Sequence, residues 1–123
     1  MAQYLTGPFM IKRGVTSPVY RVLLLQPNKQ PVDLSQADHA HFVMQLRGAT
    51  TPVVDKLAVI LQQGDVLSGT NVGVCEYDWA AGDTDAVGIY DAEFALYDAT
   101  GQVYARAPSD SYLQIVILGN LSD

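Results

Sequence analysis

His39 and His41 are the only two histidines of the chain and stand two residues apart. On an extended strand alternate side chains share a face, so the two imidazoles point the same way. Such a pair can begin a zinc or nickel site but would still need a third ligand, and the adjacent Asp38 falls on the opposite side. An exposed pair at a strand start is the plainer reading, and no metal ligand is expected. A histidine-dependent triad would have to recruit one of these two, while Ser35 and Ser109 sit in no G-x-S-x-G elbow. Asp78, Asp83, Asp85 and Asp91 gather around the polar stretch after Trp79. Grouped carboxylates can bind calcium or act as an acid–base pair, yet this spacing does not follow an EF-hand loop, and short acidic residues beside glycine are ordinary turn composition. Cys75 alternates with Tyr77 and Trp79 on an inferred buried face and reads as a small core hydrophobe, not a reactive thiol. No phosphate-cradling glycine loop or dinucleotide fingerprint is present. The expectation is a protein with no catalytic residues and no cofactor.

What remains for function is binding. Seven tyrosines and one tryptophan are many for 123 residues, and both types are favoured at protein interfaces and on sugar-binding faces. Tyr4, Tyr97, Tyr104 and Tyr112 are the ones expected nearest the surface. Residues 1–11 add Leu5, Phe9, Met10 and Ile11, a segment too apolar to stay solvated. It is either an arm that pairs with a neighbour or the first strand of the domain. Together Tyr4, Leu5, Phe9, Met10, Ile11, Tyr97, Tyr104 and Tyr112 form the candidate interface set. Charged residues are only 16% of the chain and the net charge is -6, with lysines and arginines scattered. Nucleic-acid backbones and anionic membranes need a concentrated basic footprint, so neither is an expected partner. One cysteine excludes an internal disulfide and a Cys-rich zinc site. The N-terminus has no basic start with a continuous apolar run, so no signal peptide is expected, and no stretch approaches the ~20 apolar residues of a membrane span.

The elements that must position these residues show a period of two. In residues 18–26, Val19, Arg21, Leu23 and Leu25 alternate with Tyr20, Val22 and Leu24, which reads as a central, largely buried strand. Residues 39–47 alternate Phe42, Met44 and Leu46 with Val43, Gln45 and Arg47. Residues 53–61 fit a strand or a short helix, and their β-branched content favours the strand. Further strands are expected around 72–79, 90–97, 103–107 and 112–118, divided by turns at Gly64, Gly69, Gly82 and Gly101. About seven or eight short strands without a helical period predict one all-β domain over residues 1–123, an antiparallel two-sheet β-sandwich or a barrel. A single mid-chain tryptophan suited to plugging a core favours the sandwich. So does Gly88-Ile89-Tyr90-Asp91-Ala92, the local pattern of a tyrosine corner, in which the phenol bonds backbone upstream.

Several segments taken in order resemble a known family. They are Phe9 to Pro18 (FMIKRGVTSP), Pro31 to Ser35 followed by the Phe42-Val43-Met44 strand, Glu76 to Thr84 (EYDWAAGDT), and Gly88 to Phe94 with Ala99-Thr100-Gly101 and Pro108. The set resembles the N-terminal immunoglobulin-like domain of tailed-phage baseplate upper proteins and of related free-standing virion proteins. It departs at Val15, where the family carries Asp, and no receptor-binding or coiled C-terminal extension is expected. The resemblance implies an immunoglobulin-like sandwich and a non-enzymatic virion structural protein, found in the virion. Its partners would be other phage structural proteins of the capsid, neck, tail or baseplate, with several copies per particle. The alternative is a carbohydrate-binding or host-adhesion module that uses exposed Tyr or Trp on a host glycan.

Overall fold

The computed structural model describes residues 8–67 and 69–121. Among them the chain forms eight strands and no helix: β1 (Phe9–Lys12), β2 (Tyr20–Leu23), β3 (His39–Leu46), β4 (Val54–Ile60), β5 (Val74–Tyr77), β6 (Gly88–Tyr97), β7 (Val103–Ala107) and β8 (Leu113–Leu118). The all-β expectation holds, including the strand over 54–60. There the β-branched residues and the antiparallel pairing with β3 and β5 go with a strand, although only Val54 and Ala58 are buried.

The strands follow one hydrogen-bonded path, β1-β8-β6-β3-β4-β5-β2, with β7 beside β6. β3 pairs with β6 along its whole length, so β7 and β8 must share the other edge of β6. β8 takes Gly88–Ala92 and β7 takes Phe94–Tyr97. Residues 103–118 thus run as one long strand interrupted around Pro108–Tyr112. β4 turns the corner of the fold: Val54–Ala58 pair with β3, whereas Val59 and Ile60 pair with β5. The two ends of the path then come together, because Phe9 of β1 and Tyr20 of β2 place their ring centres 4.8 Å apart. The mixed sheet therefore curls nearly into a barrel around a single apolar core.

Two expectations need correction. The pairing is not wholly antiparallel, because β1 runs parallel to β8. Residues 13–19 carry the chain away to the far end of the path instead of folding it back as a hairpin. β2 is not central either, since it ends the path and, among the described residues, pairs with β5 alone. Tyr20, Val22 and Leu24 are buried, but the opposite face carries Arg21, whose guanidinium holds Glu76 across the pair at 2.6 Å. A one-sided strand with a charged outer face suits an end position.

The core is aromatic. Trp79 lies just beyond β5 and is buried, edge-on to Phe42 at 5.6 Å and to Tyr77 at 5.3 Å, with Phe9 at 5.9 Å. Tyr90 is buried, and its phenol donates to the Ala86 carbonyl oxygen at 2.7 Å, the upstream backbone bond expected of this tyrosine. Gly73 is required by geometry: its φ is +79, and a Cβ there would meet the Leu24 carbonyl oxygen at 3.0 Å. No helix of the described residues is long and apolar enough to cross a membrane.

Candidate functional site

The outer face of the sheet carries what the core leaves over. Because side chains alternate, burying Phe9 and Ile11 turns Met10 outward, and burying Ile115 and Ile117 turns Val116 and Leu118 outward. Register then aligns Met10 of β1 with Val116 of β8, and Val116 with Ile89 of β6. Met10 is 61% exposed and Ile89 43%. Leu118 and, just before β6, Val87 are exposed as well. An apolar row thus crosses three adjacent strands and ends at β1, which among the described residues pairs with β8 alone.

Further along the same face the character changes to paired charge. Arg47 reaches Asp91 at 3.0 Å and Arg106 reaches Glu93 at 2.8 Å. A hollow of about 310 Å³ is lined by Val43, Gln45, Asp91, Glu93 and Tyr112. Tyr112, in the interruption between β7 and β8, is 65% exposed. At the start of β3, His39 stacks on Tyr97 with ring centres 4.6 Å apart and planes 11° apart, and His41 lies 4.9 Å from the same ring. On β4, Leu57 sits opposite His41 and is exposed.

The candidate interface set is therefore dispersed. Tyr4 and Leu5 lie outside the described residues. Phe9 and Ile11 are interior, at 3% and 4% exposure, which corrects their place among docking residues. They are the inward half of a strand whose outward half is Met10 and Lys12. Tyr97 is half-buried in the histidine stack, and Tyr104 is exposed on β7, some of its surroundings pushing the phenol pKa upward through burial and through nearby Asp33. Met10, Tyr97, Tyr104 and Tyr112 do not form one patch. Val116, Ile89 and Leu118 belong with Met10, and only strand register reveals it.

The acidic stretch resolves into separate roles. Asp83 is buried, with 2% of its side chain exposed, and its Oδ1 accepts from Lys56 Nζ at 2.7 Å. Its Oδ2 accepts from the Tyr77 hydroxyl at 2.5 Å and from the Ala80 amide at 2.8 Å. Burial drives this carboxyl upward, but the Lys56, Tyr77 and Ala80 bonds outweigh it and hold the pKa below the usual carboxylate range. Burial pushes the Cys75 thiol up to about 12, as suits a core residue. Among the described residues no three His, Cys, Asp or Glu side chains converge as ligands. A comparison with family models, curated proteins and solved structures finds no match to the chain.

Proposed function

We propose that the chain is a non-enzymatic structural protein of a tailed-phage virion, an immunoglobulin-like sandwich that docks on other virion proteins through the outer face of β1, β8 and β6. The observation that carries the docking is the apolar outward row Met10–Val116–Ile89, contiguous across three strands, with Met10 and Ile89 exposed and Val116 half-buried between them. A row of this kind beside an end strand offers a partner both apolar area and unpaired backbone groups. The virion assignment rests on the ordered motifs from Phe9 to Pro108. The sandwich reading is supported by the Tyr90 phenol at the entry to β6, and by Tyr20 of β2 packing against Phe42 and Phe94 across the core. Affinity from such a face comes from apolar burial at roughly 25 cal/mol per Å², so association is only modestly weakened by salt.

Met10→Asp and Ile89→Asp test the docking face. Each side chain already faces solvent, so thermal melting should shift by no more than about 2 °C, a surface-sized effect. Incorporation into particles should fall at least tenfold, because docking would bury an unpaired carboxylate. Wild-type incorporation of both variants would place the docking surface elsewhere.

A second reading has its own observation, the exposed Tyr112 ring beside the hollow with Asp91, Glu93 and Gln45. An aromatic platform flanked by hydrogen-bonding side chains suits a saccharide. Tyr112-dependent binding on a glycan array would favour it; the docking variants would leave that binding intact.

A further inference from the structure

We propose that His39 and His41 form a surface site for one divalent transition-metal ion of the imidazole-preferring kind, Zn²⁺, Ni²⁺ or Cu²⁺. The inference is independent of virion docking and rests on the start of β3. Alternation on β3 buries Ala40 and Phe42 and turns both imidazoles to the outer face.

Each ring is held by a different carboxylate. Asp38, expected on the opposite side, instead turns its carboxylate to the first ring: His39 Nδ1 lies 2.9 Å from Asp38 Oδ2, and His41 Nδ1 lies 2.9 Å from Asp55 Oδ1 of β4. An ionised carboxylate only accepts, so in both rings Nδ1 carries the proton and donates it. In the neutral imidazole that leaves the lone pair on Nε2. Metal-binding imidazoles show the same arrangement, one nitrogen on the ion and the other donating to a carboxylate, which orients the ring and makes the ligand more basic.

The spacing of the rings also fits. Two imidazoles bound to a single ion at Zn–N distances of about 2.0–2.1 Å put their ring centres roughly 5–6 Å apart. The observed separation is 5.8 Å. Tyr97, paired with His39 across β3 and β6, packs on both rings and limits their rotation before any ion arrives. Preorganisation of this sort reduces the ordering cost of binding. No third ligating side chain joins the pair among the described residues, so water fills the remaining positions, and a side chain of a docked partner can replace it. A two-imidazole site favours copper over nickel and zinc in the usual order for nitrogen ligands.

Titration of the ¹⁵N-labelled full chain with NiCl₂ at neutral pH tests the site, and ZnCl₂ calorimetry measures it. Paramagnetic broadening should begin at the amides of residues 38–42, 55–57 and 97. His39→Gln and His41→Gln should each weaken Zn²⁺ binding at least tenfold. Asp55→Ala should weaken it about tenfold by releasing the His41 ring, while Asp91→Ala, a carboxylate elsewhere on the same face, should leave it unchanged. The wild-type titration needs no variant to fold. Broadening centred away from β3, no broadening with Ni²⁺ in excess, or unchanged Zn²⁺ affinity in both histidine variants would overturn the proposal.

Discussion

Trp79→Ala should lower the melting temperature by on the order of 15 °C. Truncating a buried large aromatic typically costs about 3–5 kcal/mol, and for a domain of this size each kcal/mol moves the midpoint by roughly 4 °C. The ring is 4% exposed and fills the space among Phe9, Tyr20, Phe42 and Tyr77, which are themselves held by strands on different parts of the path. They cannot collapse into the void together, so the cavity remains. One feature moderates the loss: among the described residues the buried Trp79 Nε1 has no hydrogen-bond partner, and removing it relieves that penalty. Trp79→Phe keeps most of the ring and discards the orphan N–H, so it should cost much less than the alanine variant. Thermal melts followed by circular dichroism decide this. A midpoint within about 2 °C of wild type for Trp79→Ala would mean that the aromatic cluster does not hold the core.

Asp83→Ala is the second large effect, about 3 kcal/mol at neutral pH. It leaves the buried Tyr77 hydroxyl and the Ala80 amide without an acceptor, and it releases Lys56, whose side chain is half exposed and forfeits less. Tyr77→Phe in the Asp83→Ala background should recover part of the loss, because the orphaned hydroxyl is then gone. The carboxylate also fixes a pH dependence. Its pKa in the folded protein lies below the unfolded value of about 3.9, so folding favours the ionised form. Its stabilisation is complete above that unfolded value and is lost as pH falls through the lower folded one. Wild-type stability should therefore drop steeply below about pH 4, and the gap between wild type and Asp83→Ala should shrink there. A gap that stays constant from pH 7 to pH 3 would show that Asp83 is not ionised against Lys56 and Tyr77.

Much of the fold is legible in the period-two pattern, because a strand with one buried face must alternate. Met44 against Val43 and Phe94 against Glu93 are enough to orient β3 and β6. Pattern alone does not say which strands are neighbours. The β1–β8 parallel pair joins residues about a hundred positions apart, and no local signal encodes it. For the same reason Phe9, Met10 and Ile11 read as one apolar segment, an arm or a first strand, whereas the fold places them in β1, buries the first and third and exposes the second. Lys56 did carry a signal. It stands in phase with the buried Val54 and Ala58, so its stem leans toward the interior edge while its half-exposed side chain can reach an anion there. The anion is Asp83, which looks like ordinary turn composition until the chain brings it across 27 residues to Lys56. The two histidines were visible from their spacing, but the carboxylate on His41 comes from β4 and depends on the β3–β4 register.

Quantitative mass spectrometry of purified phage particles, with each known capsid and tail protein as an internal standard, tests the central claim most directly. A docked structural protein should be present at a fixed stoichiometry that survives repeated gradient purification and high salt. Hundreds of copies would indicate capsid decoration or the tail tube, and about three to twelve would indicate neck or baseplate, where cyclic symmetry sets the number. Finding the protein abundant in the infected-cell lysate yet absent from the particles, or present only in variable traces that salt removes, would contradict it.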